Sequence, residues 1–267
     1  VYLYLPCSVQ KCILNKIMIL STTIMQIHIA DNPLDLGKAA AKRATELIKR
    51  AIEAQGRVHI ILATGTSQFE MLKNLVQQDI PWQKVTMFHL DEYIGIDIMH
   101  PASFRKYLKE RFIDKVGELS GYYLIDGDQG NPQEECDRLN EIISQHPIDV
   151  AMVGIGENAH LAFNDPPADF ETEDPYIIVE LDEACRNQQL GEGWFPDLES
   201  VPTQAISMSV NHILKSRHIL VSVPDERKAA AVACTVRGEV SPMCPASKLQ
   251  EHAQCDLYVD RFSASRI

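Results

Sequence analysis

The sequence predicts an α/β protein with a doubly wound, mostly parallel sheet and helices on both faces. Three observations carry that reading. Apolar runs of strand length alternate with segments of helical period along most of the chain. The runs VHIILA at 58–63, DVAMVG at 149–154 and ILVSV at 219–223 are almost continuously apolar, as strands buried on both faces are. No internal repeat or low-complexity tract points to another architecture.

In chain order, the first 30 residues are oddly apolar, but Lys11 and Lys16 break the runs and no cleavage site of small residues follows a basic start. Residues 1–24 are therefore expected to be an apolar leader feeding a first strand near 25–29. Residues 32–54 predict a long helix: Asn32 or Asp35 can cap it, alanines fill it, and Gly56 ends it. The strand at 58–63 then leads through ATGTS into a helix over 67–77 with Phe69, Leu72 and Leu75 inward. A strand at 85–88, a helix over 105–112 and a short strand at 122–124 follow.

The turn-rich DGDQGNP at 126–132 precedes a helix over 132–144 and the strand at 149–154. Residues 166–204 differ, being broken by prolines, glycines and acids, and they predict a loop-rich lid with one short helix around 182–190. The rhythm resumes with the strand at 219–223, a helix over 227–235 and a last strand at 256–260. A single domain over 25–267, Rossmann-like in its alternation, is expected.

The totals narrow the function classes. A chain of 267 residues with 45% hydrophobic and 23% charged content reads as a soluble globular protein with no membrane partner. Its net charge of −12 argues against a nucleic-acid binder, which carries a basic footprint. A small anionic ligand stays compatible, since a few amides and cations can bind phosphate within an acidic protein. The seven cysteines are scattered without a CxxC, so neither a disulfide framework nor a cysteine zinc site is expected, and a reducing cytoplasm is the expected compartment.

Three loops carry candidate chemistry, and they are expected to meet over one sheet. Thr64, Gly65, Thr66 and Ser67 bring glycine and hydroxyls to a helix N-terminus, where amides can hold a phosphate; a plain tight turn is the alternative. The loop lacks the lysine of a Walker motif, and the chain has no GxGxxG dinucleotide fingerprint. Asp91 and Glu92 follow a strand. Adjacent side chains diverge, so one faces the pocket while its neighbour orients the loop, unless both are solvated acids or a helix cap. His160, in GENAH after another strand, can exchange protons near neutral pH, with Asp165 five residues on to fix its ring; a purely structural histidine is the alternative. Lys228 could reach a phosphate from across the sheet, or be a surface lysine. No metal spacing such as HExxH occurs, and His89, His160 and Asp91 form only a speculative ligand set.

ATGTS, FHLDEYIGI with HPASF, GIGENAHLAFNDP, VPTQAISM and DERKAAAV, in this order, resemble the glucosamine-6-phosphate deaminase (isomerase) family over about residues 30–260. The related 6-phosphogluconolactonases would show GHTASLFP where this chain has HLAFND at 160–165, which places a lactonase second, beside a non-catalytic sugar-phosphate binder. The resemblance implies conversion of glucosamine 6-phosphate and water to fructose 6-phosphate and ammonia, with neither metal nor organic cofactor. It implies that Asp91 moves a proton between C2 and C1, that His160 opens the pyranose ring, and that Glu92 orients substrate or loop. Thr64–Ser67, Lys228 and Arg186 would hold the phosphate.

Some residues depart from the family pattern. Asn158 and Ala159 stand where the best-known members have aspartate and glycine, and asparagine cannot relay a proton. Asp165 is one methylene shorter than the usual glutamate, so it is expected to serve His160 only through a backbone shift or a bridging water. The acidic PPADFETEDPY lacks the basic residues of the amino-sugar allosteric site of hexameric members. The expected partners are a phosphorylated amino sugar and possibly further copies in a homo-oligomer, without that allosteric site.

Overall fold

In order, the elements are β1 (Gln26–Ala30), α1 (Pro33–Gln55), β2 (Val58–Leu62), α2 (Phe69–Leu75), β3 (Val85–His89), β4 (Asp91–Tyr93), α3 (Phe104–Leu108) and α4 (Asp114–Val116). They continue with β5 (Gly121–Tyr123), α5 (Pro132–Ser144), β6 (Val150–Val153), β7 (Tyr176–Glu180) and α6 (Glu183–Gly191). The chain ends with β8 (Gln204–Met208), α7 (Val210–Leu214), β9 (His218–Val223), α8 (Ala229–Arg237) and β10 (Cys255–Asp260). This computed structural model describes residues 25–267, so the leader expected at 1–24 lies outside the described residues.

Local chemistry sets the element ends. The Asn32 side chain accepts from the Asp35 amide and Pro33 opens α1, while Gly56 closes it at φ 79°, its amide reaching the Ile52 carbonyl. Leu36, Ala40, Ala44, Leu47, Ile48 and Ala51 recur on one buried face. All five residues of β2 are buried, each large aliphatic contributing about 1.5–3 kcal/mol.

Seven strands form a sheet in the order β1-β10-β9-β6-β2-β3-β5, every neighbouring pair parallel. The chain builds outward from β2 through β3 to β5, then returns to the other side of β2 for β6. The order thus reverses between β2 and β6, where doubly wound sheets open a crevice at the carboxyl ends of their strands. The fold is a three-layer α/β sandwich of the expected kind.

One feature was not foreseen. β4, β8 and β7 form a separate antiparallel sheet in the order β4-β8-β7, with Asp91 opposite Ser207 and Tyr176 opposite Met208. Only Leu90 separates β3 from β4, so one polar-ended run contains two strands of different sheets. The expected helix over 105–112 is also interrupted, by a π-type turn at Lys109–Ile113 between α3 and α4. Cys234 and Cys244 are joined as a disulfide with Cα atoms 6.5 Å apart, a short-range pair that no CxxC announces. Among the described residues, no helix is long and apolar enough to cross a membrane.

Candidate active site

The loops after β2 and β6 flank the point where the strand order reverses, and both line one cleft with Asp91, His160 and Lys228. Gly65 has φ 88°, a left-handed conformation that glycine adopts without strain, and it starts the tight turn Thr66–Gln68. Tyr107 donates its hydroxyl to the Gly65 carbonyl at 3.0 Å. The buried Gln68 Nε2 lies 3.3 Å from the Ser222 carbonyl and 3.4 Å from that of Val153, tying the turn to β9 and β6. Thr64, Gly65, Thr66 and Ser67 therefore all face the cleft on a fixed backbone.

Strand alternation separates Asp91 from Glu92. Asp91 lines the cleft, and burial pushes its carboxyl up to about 8, with the neighbouring Glu92 charge adding to the effect. Glu92 points away and is fully buried. It accepts from the Tyr93 amide at 3.0 Å, the Ser103 hydroxyl at 2.9 Å, and the Phe104 and Arg105 amides at 3.2 and 2.9 Å. Arg105 Nε lies 3.5 Å from it, and Nη1 pairs with Asp128 at 2.8 Å. Glu92 thus caps α3 and organises the 92–105 loop rather than lining the cleft.

His160 is almost buried and presents one side to the cleft. A Cβ at Gly156 would overlap its ring, so the glycine makes room for the imidazole. His160 Nδ1 lies 3.1 Å from Asp165 Oδ1, a direct contact that needs no bridging water, the other expected route being a shift of the backbone. The chain between them folds back tightly, with Leu161 bridged to Asn164 and the Asn164 amide held by the Leu161 and Met208 carbonyls at 2.7 and 2.8 Å. That turn compensates for the shorter side chain.

Asn158 Nδ2 donates to Asp165 at 2.9 Å, and its Oδ1 accepts the His160 amide at 3.1 Å. Burial alone would raise the Asp165 carboxyl, but His160, Asn158 and the Asp182 amide outweigh it and hold the group below its ordinary range. Ala159 sits at φ 66°, strained for a residue with a Cβ.

Lys228 closes the turn before α8 and lines the cleft, 7% exposed. Burial lowers its proton affinity, against the raising influence of Glu157 and Glu192. Arg186 does not join it. Its guanidinium is bound to the Val201 carbonyl at 3.0 Å and to that of Leu198, and it lies off the cleft. The expectation of a phosphate contact from Arg186 is corrected for a reason of helical phase. Gln188, Gln189 and Glu192 lie three to seven positions after Cys185 and turn toward the cleft, while Arg186 is a step round the helix.

The residue-by-residue reading missed these three groups. Gln188 accepts the Glu157 amide at 2.8 Å, and Gln189 accepts the Tyr93 hydroxyl at 2.7 Å. Their signal was the polar stripe QQ followed by Glu at helical spacing, legible only once the helix's phase is known.

The speculative ligand set of His89, His160 and Asp91 does not assemble: His89 is wholly buried away from the cleft, its imidazole pushed down to about 3 by burial. Among the described residues, His160, Asp165 and Cys185 bring ligand-type atoms within 4.8 Å of one another. Burial pushes the Cys185 thiol far up, so it remains protonated beside Asp165.

Comparisons with known proteins agree with this geometry. The profile of the family described as glucosamine-6-phosphate isomerases/6-phosphogluconolactonase matches residues 31–258. A glucosamine-6-phosphate deaminase of Streptococcus pneumoniae serotype 4 is 34% identical over 236 residues, covering 88% of this chain and 97% of that protein. A solved monomeric glucosamine-6-phosphate deaminase superposes with a TM-score of 0.82 at 27% identity, covering 91% of this chain and 100% of that one. A putative 6-phosphogluconolactonase from Neisseria gonorrhoeae shares the fold, with a TM-score of 0.70 at 18% identity over 89% of this chain and 100% of that one. The monomeric deaminase corrects the expected homo-oligomer, because a relative matched over its whole length works as a single chain. By profile, sequence and structure together, the chain belongs to the glucosamine-6-phosphate isomerase/6-phosphogluconolactonase family.

Proposed function

We propose that the protein converts glucosamine 6-phosphate and water to fructose 6-phosphate and ammonia. The observation that carries this reading is one cleft lined by the raised carboxyl of Asp91, by His160 with Asp165 behind it, and by the 64–67 loop with Lys228. The loop amides and hydroxyls and the Lys228 ammonium hold the phosphate, which does not react; its binding energy fixes the distant C1–C2 unit. His160 exchanges a proton with the ring oxygen and opens the pyranose, its ring oriented by Asp165 and Asn158.

Asp91, in its ionised form, takes the proton from C2 of the open-chain amino aldehyde. The C2–H electrons form the C1–C2 double bond of an enolamine while the C1=O π pair moves to O1, which takes a proton from the substrate's ammonium group; the nitrogen lone pair then forms the C2 imine as the same carboxyl returns the proton to C1. The resulting C2 imine adds water and expels ammonia, leaving the ketose. A carboxyl raised toward 8 suits this shuttle, because its ionised form is a stronger base than an ordinary carboxylate and takes the C2 proton more readily. Glu92 acts at one remove, by fixing the loop that presents Asp91.

Residues 25–267 act as one domain, in which Gln188, Gln189 and Glu192 of the 166–204 segment line the cleft. A cytoplasmic setting suits the buried free thiols of Cys136, Cys185 and Cys255, whereas the Cys234–Cys244 disulfide suits a more oxidising one. Ammonia release across hexosamine 6-phosphates, with wild type beside Asp91→Asn and His160→Gln, tests the function. Turnover by wild type and loss in both variants is expected; a folded wild type inert on every such substrate would overturn it.

A further inference from the structure

The far end of the cleft, where the phosphate is placed, contains an unexpected charge. Lys228 is the cation lining the cleft, and a carboxylate, Glu192, lines it too. Glu192 Oε2 comes within 4.0 Å of where a Cβ on Gly65 would stand, over the backbone of the 64–67 loop. The position is well defined, since the Glu192 amide bonds to the Gln188 carbonyl at 3.1 Å and closes α6. Gln188 and Gln189 anchor the same helix to the Glu157 amide and the Tyr93 hydroxyl. Arg186 faces elsewhere, and Arg227, whose charge Glu192 does feel, is paired with Asp225 and Glu157 and does not line the cleft.

A phosphate dianion entering beside Glu192 therefore meets one positive and one negative side chain. Two like charges a few ångströms apart in a partly buried cleft repel strongly.

We infer that Glu192 is a specificity-determining gate: in the unliganded protein its carboxylate stands over the 64–67 loop without bonding to it, and an incoming sugar phosphate must displace it. This rests on the functional reading above for the placement of the phosphate at the 64–67 loop and for the identity of the sugar phosphate. Displacing Glu192 loosens the C-terminal turn of α6, so phosphate arrival is coupled to movement of the segment over the cleft. It also sets a threshold, since a weakly charged ligand does not drive the carboxylate out.

The test uses inorganic orthophosphate as probe, titrated by calorimetry into wild type, Glu192→Gln and Glu192→Asp. Removing the charge is expected to tighten orthophosphate about ten-fold, while the aspartate, which keeps the charge, stays close to wild type. Under turnover, the gain in Glu192→Gln appears as a lower KM for glucosamine 6-phosphate rather than as a change in kcat, a split that a merely structural role would not produce. Unchanged or weaker orthophosphate binding in Glu192→Gln would overturn the inference.

Should that variant fail to fold, wild type alone decides. Amide hydrogen exchange over 190–195 is expected to rise on adding orthophosphate, and protection there would sink the idea. Binding of orthophosphate needs no turnover, so absence of ammonia release would count against the functional reading and not against the gate.

Discussion

The two sheets of this protein divide the labour of the site. The seven-stranded parallel sheet positions the 64–67 loop, the 154–160 loop with His160, and Lys228, which all follow its strands at or beside the point where strand order reverses. The three-stranded antiparallel sheet supplies Asp91 on β4, and β7 leads directly into α6 and its polar stripe. The inner strands of the first are buried on both faces and read as apolar runs; the second is short, and its edge strand β7 is partly exposed, with Ile178 36% exposed. In the proposed reaction, phosphate anchoring and ring opening thus rest on the part that packing makes rigid, and the proton transfer between C2 and C1 on a small sheet held by specific hydrogen bonds.

Substitutions in the two sheets should accordingly fail in different ways. The largest effect is expected from Asp91→Asn, which removes the shuttle and lowers kcat by about 1,000-fold or more with little change in KM. In wild type, kcat/KM should climb with pH and level off above about 8, where Asp91 is ionised. The same carboxyl has a stability signature. Its folded pKa exceeds the ordinary 3.8, so the folded state binds the extra proton between about 4 and 8, and stability falls as pH rises through that window. Asp91→Asn should therefore be the more stable protein at pH 9 in urea unfolding, though inactive. Equal stability there would mean that the carboxyl is not raised.

Glu92→Ala should be the converse, a folding defect first. It leaves the Ser103 hydroxyl, three amides and Arg105 without their acceptor, and about 3 kcal/mol of stability should be lost, read from the urea midpoint.

On the parallel sheet's side, Lys228→Met should raise KM for the sugar phosphate about 30-fold while kcat stays near wild type, measured by initial rates. A fall in kcat alone would move Lys228 from anchoring to chemistry. The smallest effect is expected from Ala159→Gly, which relieves the φ of 66° beside His160 and should add about 0.5 kcal/mol of stability.

Much of this division was legible beforehand, and the exceptions have physical causes. The strands of the parallel sheet announce themselves because burial on both faces demands unbroken apolar runs. β4 did not, because three polar-looking residues directly after β3 read as its trailing loop. The divergence of Asp91 and Glu92 followed from alternation alone, but which of them faces the cleft depended on β8 pairing with β4. Arg186 was misplaced because motif spacing gives a position along α6 and not its rotation, whereas Gln188, Gln189 and Glu192 share the rotation that meets the cleft. Asp165 reaches His160 directly because a turn shortens the path, which side-chain length alone could not reveal.

Residue order was enough to establish the alternation of strand and helix, the three chemistry-bearing loops and the family they resemble, since these depend on periodicity and on neighbours along the chain. The fold in space settled the rest: that β4, β7 and β8 leave the main sheet, that Arg186 turns away, and that Glu192 stands over the 64–67 loop. Such facts arise from contacts between segments far apart in the chain, and packing and helical phase, not local propensity, decide which side chains meet.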